Sequence, residues 1–136
     1  MRGAVLLLVL VPVATAAAAE APLVHATSTC APAGKPGRVR CRAVFELPLD
    51  SKGRRLVFAE VRVVGADPSV KPLRGRLGPL DAEVFDDARA TFTYSVAAEK
   101  VGEARMTVRL TSVVEGTGGG PTPSVQDVEV PVRVLP

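Results

Sequence analysis

The sequence predicts an all-β fold, because apolar and polar residues alternate in several short segments that are separated by turn-forming residues. Alternation with a period of two is typical of half-buried strands, and no segment shows a convincing helical period. About six or seven such segments favour an antiparallel β-sandwich of the immunoglobulin-like type. A small β-barrel is the alternative architecture.

The clearest strand covers residues 38–47. One face of this strand carries only apolar side chains, namely Val39, Cys41, Ala43, Phe45 and Leu47. The opposite face carries Arg38, Arg40, Arg42 and Glu46. The pattern therefore predicts one face in the core and one face in solvent.

Further strands are predicted at residues 22–30, 55–66, 89–96, 104–111 and 128–134. In residues 55–66 the alternation directs Val57, Ala59, Val61 and Val63 inward and leaves Phe58 on the outer face with Leu56, Glu60 and Arg62. The prolines and glycines of residues 67–82 allow only short edge strands. Residues 115–124 are predicted to be a flexible loop, and Pro131 suits an edge strand.

The N-terminus has the pattern of a secretory signal peptide. Arg2 is followed by the apolar residues 4–13 and by a run of alanines that ends at Ala19. A membrane anchor is disfavoured, because Pro12 and the weakly apolar alanines make a poor membrane span. We therefore expect a signal peptide at residues 1–19 and one β-sandwich domain at residues 20–136. The mature chain would be periplasmic or extracellular, with no integral membrane span.

The two cysteines are predicted to form a disulfide. An oxidising compartment favours pairing, and a turn at "APAGKPG" would place Cys30 opposite Cys41 on neighbouring antiparallel strands. A zinc site would need more ligands than these two cysteines and His25, the only histidine. Thiol exchange is the less favoured alternative, because nothing in this spacing lowers a thiol pKa.

Charge is unevenly distributed along the chain. The net charge is +3 for the whole sequence and +2 without residues 1–19. Residues 35–76 carry eleven basic and four acidic side chains, whereas residues 77–136 carry five basic and nine acidic ones. This asymmetry allows one face of the folded domain to be basic.

We expect no catalytic site, metal or cofactor. A catalytic triad has only His25 to use as a base. Calcium binding by the cluster Asp81, Glu83, Asp86 and Asp87 is disfavoured, because the cluster lacks the ligand spacing of a calcium loop. The chain is also poor in aromatic residues, and three of them fall on predicted core faces, so we expect no nucleic-acid partner.

Two features are candidate binding sites. Arg38, Arg40 and Arg42 would form a row of guanidinium groups roughly 7 Å apart on one strand face. A solvated face that opposes edge aggregation is the alternative interpretation of this row. Phe58 lies on a predicted outer face and marks a candidate partner patch, unless it packs under a neighbouring loop.

The stretch "MTVRLTSVVEGTGGGPTPSVQDVEVPVRV" resembles, in its layout, the immunoglobulin-like N-terminal domain of periplasmic thiol-disulfide interchange proteins. The resemblance implies a loop with redox cysteines, and residues 115–124 contain none. The signal peptide, the all-β pattern with its disulfide and the lack of catalytic motifs together lead us to expect a non-catalytic exported protein that binds another protein or an envelope component. A redox accessory or small envelope enzyme, and a binder of anionic polymers through the arginine row, are the alternatives.

Overall fold

The computed structural model describes residues 3 and 23–136. In this part of the chain there are nine strands and no α-helix, so the all-β prediction is confirmed. The strands are β1 (His25–Cys30), β2 (Gly37–Glu46), β3 (Arg54–Ala66), β4 (Val70–Pro72), β5 (Arg76–Leu77), β6 (Val84–Phe85), β7 (Arg89–Ala98), β8 (Gly102–Gly116) and β9 (Thr122–Val134). The predicted signal peptide lies outside the described residues, apart from Gly3.

The strands form two antiparallel sheets. The first sheet has the order β1-β2-β7-β4, and β6 pairs with the same edge of β7 as β4 does. The second sheet has the order β5-β3-β8-β9. With β1, β2 and β7 in one sheet and β3, β8 and β9 in the other, the order matches that of immunoglobulin-like sandwiches. The predicted fold class is therefore confirmed.

The inner faces of the two sheets share one hydrophobic core. Strand β2 contributes every apolar residue that the alternation predicted, from Val39 to Phe45. Strand β7 contributes Phe92, whose ring meets that of Phe45 edge-on with centroids 5.7 Å apart. The two-residue period thus decides which side chains of the central strands stabilise the fold.

Tyr94 extends this core and carries a buried polar group. Its hydroxyl lies 2.6 Å from Ser28 Oγ, and Ser28 Oγ also donates a hydrogen bond to the carbonyl of Arg42. Burial raises the pKa of Tyr94, and the hydrogen bond with Ser28 opposes this shift in part. The contact links β1 to β7 beneath β2.

The predicted disulfide is confirmed. Cys30 and Cys41 are bonded and lie directly opposite each other in the β1–β2 ladder, with Cα atoms 3.9 Å apart. Ala31 N–H donates to the carbonyl of Arg40, so the neighbouring cysteine pair is the closely spaced, non-hydrogen-bonded one. The predicted turn geometry was sufficient to pair the two residues.

The edges of β1 and β9 bring the two sheets together along one side of the sandwich. Ala33 N–H donates to the carbonyl of Arg133, and Leu135 N–H donates to the carbonyl of Ala33. Farther along the same side of the sandwich, Gln126 Nε2 donates to the carbonyl of Val24. Strand β9 is the edge of the second sheet, which confirms the edge position predicted for Pro131.

Two residues of β9 have no backbone N–H to donate at this edge. Because the carbonyl of Arg133 points away from β8, the odd-numbered residues of β9 direct their backbone groups outward. Pro123 and Pro131 belong to this set and have no N–H to donate. A strand added to this edge would therefore lack a backbone hydrogen-bond donor at both prolines.

The outer face of β3 differs from the prediction because of a β-bulge. The register moves from Leu56 opposite Val114 to Phe58 opposite Val113, so Val57 is an extra residue. Leu56 consequently lies in the core, with 2% of its surface exposed, and Val57 is only half-buried. The predicted inward position of Val57 and outward position of Leu56 were both wrong.

The predicted loop at residues 115–124 was too long. Strand β8 continues to Gly116 and β9 begins at Thr122, so the connection covers only residues 117–121. Pairing of Val113 with Pro123 and of Val114 with Thr122 holds these ends in the sheet. The composition of the segment suggested a loop, whereas the hairpin partner extends the strands.

Reduction of the disulfide is expected to lower the free energy of unfolding by about 3 kcal/mol, because the bond closes a short loop in the unfolded chain. Urea unfolding of the chain lacking residues 1–19, with and without reductant, measures this difference. A Cys30→Ala, Cys41→Ala variant is the control and should not respond to reductant. An unchanged unfolding midpoint after complete reduction would contradict the expected result.

The Tyr94→Phe variant is expected to lose about 1 kcal/mol of stability at neutral pH, because Ser28 loses its hydroxyl partner. The wild type should then lose this advantage as the pH rises above about 10, where unfolded tyrosine ionises while the raised pKa keeps folded Tyr94 protonated. Unfolding free energies of both proteins between pH 7 and 11 test this. Tyr94 is the only tyrosine, so tyrosinate absorbance reports its ionisation alone, and a normal titration in the folded protein would contradict the argument.

Candidate functional site

Arg38, Arg40 and Arg42 are exposed on the outer face of β2. Their direction is fixed because the intervening residues Val39 and Cys41 are buried in the core. Strand β2 is paired on both sides, with β1 and with β7, so the row lies across the middle of a sheet. The strand geometry spaces the side chains roughly 7 Å apart.

The neighbours of these arginines are small and uncharged. On β7, Ala97, Ser95 and Thr93 lie opposite Arg38, Arg40 and Arg42, respectively. On β1, Thr29 lies opposite Arg42. We call the surface formed by the three arginines with Thr29, Thr93 and Ser95 the arginine face. Its short side chains leave the guanidinium groups accessible from solvent.

The outer face of the second sheet has a different charge arrangement. Five ion pairs lie on it, with N···O distances from 2.8 to 3.4 Å. They are Arg55–Glu115, Arg76–Glu60, Arg105–Glu129, Arg109–Asp127 and Arg133–Glu103. Hydrogen bonds from Arg109 hold the pKa of Asp127 below its usual range. These five pairs place opposite charges side by side, although Arg62 lies opposite both Arg76 and Arg109 and forms no ion pair in the described part of the chain.

The arginine face has no such compensation. Within residues 23–136, none of Arg38, Arg40 and Arg42 forms an ion pair with a carboxylate. The acidic residue nearest along β2 on the same face is Glu46, which pairs with Arg89 at 3.5 Å. Four acidic residues of the C-terminal half, Glu103, Glu115, Asp127 and Glu129, thus pair with arginines of the second sheet, and no carboxylate of the described residues does the same for the arginine face.

Two shallow depressions lie in the arginine face. One, of about 290 Å³, has Thr29, Arg40, Arg42 and Thr93 among its lining residues. The other, of about 220 Å³, lies between Arg38 and the β4–β5 connection and shares Thr93 with the first. Sequence reasoning identified the arginines, but it did not identify the threonines beside them, because strand neighbours depend on the pairing of distant segments.

The disulfide lies directly beneath this surface. Cys41 is the residue between Arg40 and Arg42, and its side chain is 1% exposed. Its bond to Cys30 joins β1 to β2 at the position where Thr29 and Arg42 face each other. The covalent bond therefore limits relative movement of the two strands that form one side of the arginine face.

Phe58, the other candidate binding residue, is half-buried on the outer face of the second sheet. It lies opposite Val113, which in turn lies opposite Pro123 on β9. Val125, two residues further along β9, is 59% exposed. These residues form a small apolar area at one end of the sheet, well separated in the fold from the arginine face.

His25 is exposed at the start of β1 and lies opposite Glu46. Both line a largely apolar depression of about 510 Å³ at the end of the first sheet, together with Leu47, Leu49 and Arg89. It is larger than either depression of the arginine face, but the ion pair with Arg89 engages the carboxylate of Glu46. The arginine face differs from this larger depression because it brings together three guanidinium groups that form no ion pair within the described residues.

The acidic cluster predicted at residues 81–87 is divided among local contacts. Asp81 accepts hydrogen bonds from Arg74 and from Gly78 N–H, both at 2.9 Å, and these bonds lower the pKa of Asp81. Asp86 accepts bonds from the backbone N–H groups of Ala88 and Arg89. Among residues 3 and 23–136, no group of three or more metal-ligating side chains is brought together.

No helix in the described part of the chain is long and apolar enough to span a membrane. In comparisons with known proteins, no protein-family model matches the chain, and no curated protein matches it either. The layout resemblance to thiol-disulfide interchange proteins therefore receives no support from family models.

Proposed function

We propose that the chain is an exported, non-catalytic binding protein that binds an anionic partner at the cell envelope through the arginine face. The observation that carries this proposal is the contrast between the two sheets. Five arginines of the second sheet pair with carboxylates and two, Arg54 and Arg62, do not, whereas none of the three arginines of the arginine face forms an ion pair among the described residues. Anionic groups of the partner would supply the negative charge that the arginine face lacks.

The chemistry of the arginine side chain supports this role. A guanidinium group presents several N–H donors in a planar fork that matches the oxygens of carboxylates and phosphates. Three such groups along one strand repel one another, since no negative charge lies between them. A bound anion offsets that repulsion and accepts hydrogen bonds from the guanidinium donors. An anionic partner is therefore the kind of partner that stabilises this face most.

The disulfide and the N-terminus support export. A cross-strand disulfide is stable in the oxidising periplasm or outside the cell, and it is uncommon in a reducing cytosol. The charged, apolar and small-residue regions of residues 1–19 add the pattern of a signal peptide. Both features favour a periplasmic or extracellular mature chain.

The alternative of a redox accessory is less well supported by the geometry. Thiol exchange begins with attack on an accessible sulfur, and Cys41 is almost fully buried while Cys30 is half-buried. The disulfide also lies within a regular strand ladder. This placement favours a structural bond, so binding rather than thiol chemistry is the function proposed here.

The proposal is tested with an Arg38→Glu, Arg40→Glu, Arg42→Glu variant. The matched control is Lys52→Glu, Arg54→Glu, Arg62→Glu, which makes the same change in net charge at exposed residues of the turn before β3 and of β3 itself. Inorganic polyphosphate, poly-L-glutamate and heparin serve as probes, and dissociation constants are measured by fluorescence anisotropy at several salt concentrations.

The wild type and the control variant should bind polyanions, with affinity that falls steeply as salt rises. The arginine-face variant should bind at least about 100-fold more weakly, because three attractive contacts become repulsive. Its salt dependence should also be shallower by roughly two units on a log–log plot. Equal losses in both variants, or absence of polyanion binding by the folded wild type, would refute the proposal.

A further inference from the structure

We infer that the arginine face recognises the phosphate groups of a linear polymer, in preference to the carboxylates of an acidic polymer or peptide. This inference rests on the proposed function, because it specifies the ligand of the same face. It depends on the side chains around the arginines rather than on the arginines alone.

The first depression combines guanidinium and hydroxyl donors. Thr29, Arg42 and Thr93 lie in register across three adjacent strands, so the two hydroxyl-bearing side chains flank the arginine from both sides. Arg40 completes the same depression, whose volume is about 290 Å³. Thr93 is on the outer face, since the neighbouring residues Phe92 and Tyr94 are buried, and Thr29 is exposed opposite Arg42 on the same face.

The second depression repeats this combination. Arg38 and Arg74 line it, together with Ser95 and the shared Thr93. Leu73 N–H donates to the carbonyl of Ser95, which holds the β4–β5 connection against β7 and forms one wall. Arg74 already contacts Asp81 at 2.9 Å, so Arg38 is the guanidinium group of this depression that is free of an ion pair.

Phosphate fits this donor set better than carboxylate does. A carboxylate has two oxygens in one plane, and a single guanidinium fork can bind both of them. A phosphate group has oxygens arranged around a tetrahedral centre and accepts further hydrogen bonds from serine and threonine hydroxyls, as it does in protein complexes with nucleic acid backbones. Hydroxyls on both sides of Arg42 supply those additional donors.

The shape of the surface favours a polymer over a single small anion. Both depressions are shallow and open, and they lie side by side with Thr93 in common. Neither encloses a ligand, so the interior of a long chain can lie across both. The two-residue repeat of β2 presents successive guanidinium groups roughly every 7 Å along the strand, which suits a chain with regularly repeated phosphates.

The test is a Thr29→Val, Thr93→Val variant, which removes the two hydroxyls and retains β-branched side chains of similar size. The control is Thr27→Val, Thr111→Val, which makes the same chemical change elsewhere on β1 and on the second sheet. Dissociation constants are measured for inorganic polyphosphate and for poly-L-glutamate of matched charge, and urea unfolding verifies that both variants are folded.

The wild type and the control should prefer polyphosphate over poly-L-glutamate by about tenfold, and the Thr29→Val, Thr93→Val variant should lose most of that preference. Binding of poly-L-glutamate should change less than about twofold, because the arginines remain. Equal binding of both polymers by the wild type, or an unchanged preference in the variant, would overturn this inference. Those results would leave polyanion binding itself intact, whereas loss of all polyanion binding would overturn the proposed function as well.

Discussion

The structure depends above all on the constraint that acts on β2, a strand paired on both sides within a sandwich. Because its side chains alternate, the residues that contribute Val39, Cys41 and Phe45 to the core must present Arg38, Arg40 and Arg42 to solvent. A shift of register by one residue would bury three guanidinium groups, so the core itself fixes where the positive charge lies. The same alternation of β2 side chains therefore sets both the packing of the core and the position of the arginine face.

The disulfide strengthens the pairing of β2 with β1, the neighbour of β2 that has fewer strand contacts. Strand β1 is short and has a strand partner on one side only, whereas β7 is paired along both of its edges. The bond between Cys30 and Cys41 joins β1 to β2 beside Thr29. The arginine face is built from separate strands and keeps its spacing only while those strands keep their register, which this covalent bond helps to maintain.

Local patterns were sufficient to predict much of this structure. The period of two located the long strands, and the turn between the cysteines placed Cys30 opposite Cys41. The bulge at Val57 was not predictable in this way, because an extra residue reverses the alternation without a sequence signal of its own. The arginine row could be predicted from one strand, whereas its neighbours Thr29 and Thr93 come from segments whose pairing is set by the whole fold.

The prolines of β9 have a consequence for crowded conditions. A protein that binds a long polymer accumulates along it, and adjacent copies then meet at local concentrations far above that of the bulk solution. Exposed strand edges fuse most readily under such conditions. Since Pro123 and Pro131 lack the donors that a second strand would need, copies that bind one polymer in the proposed way would not fuse through the β9 edge at these positions.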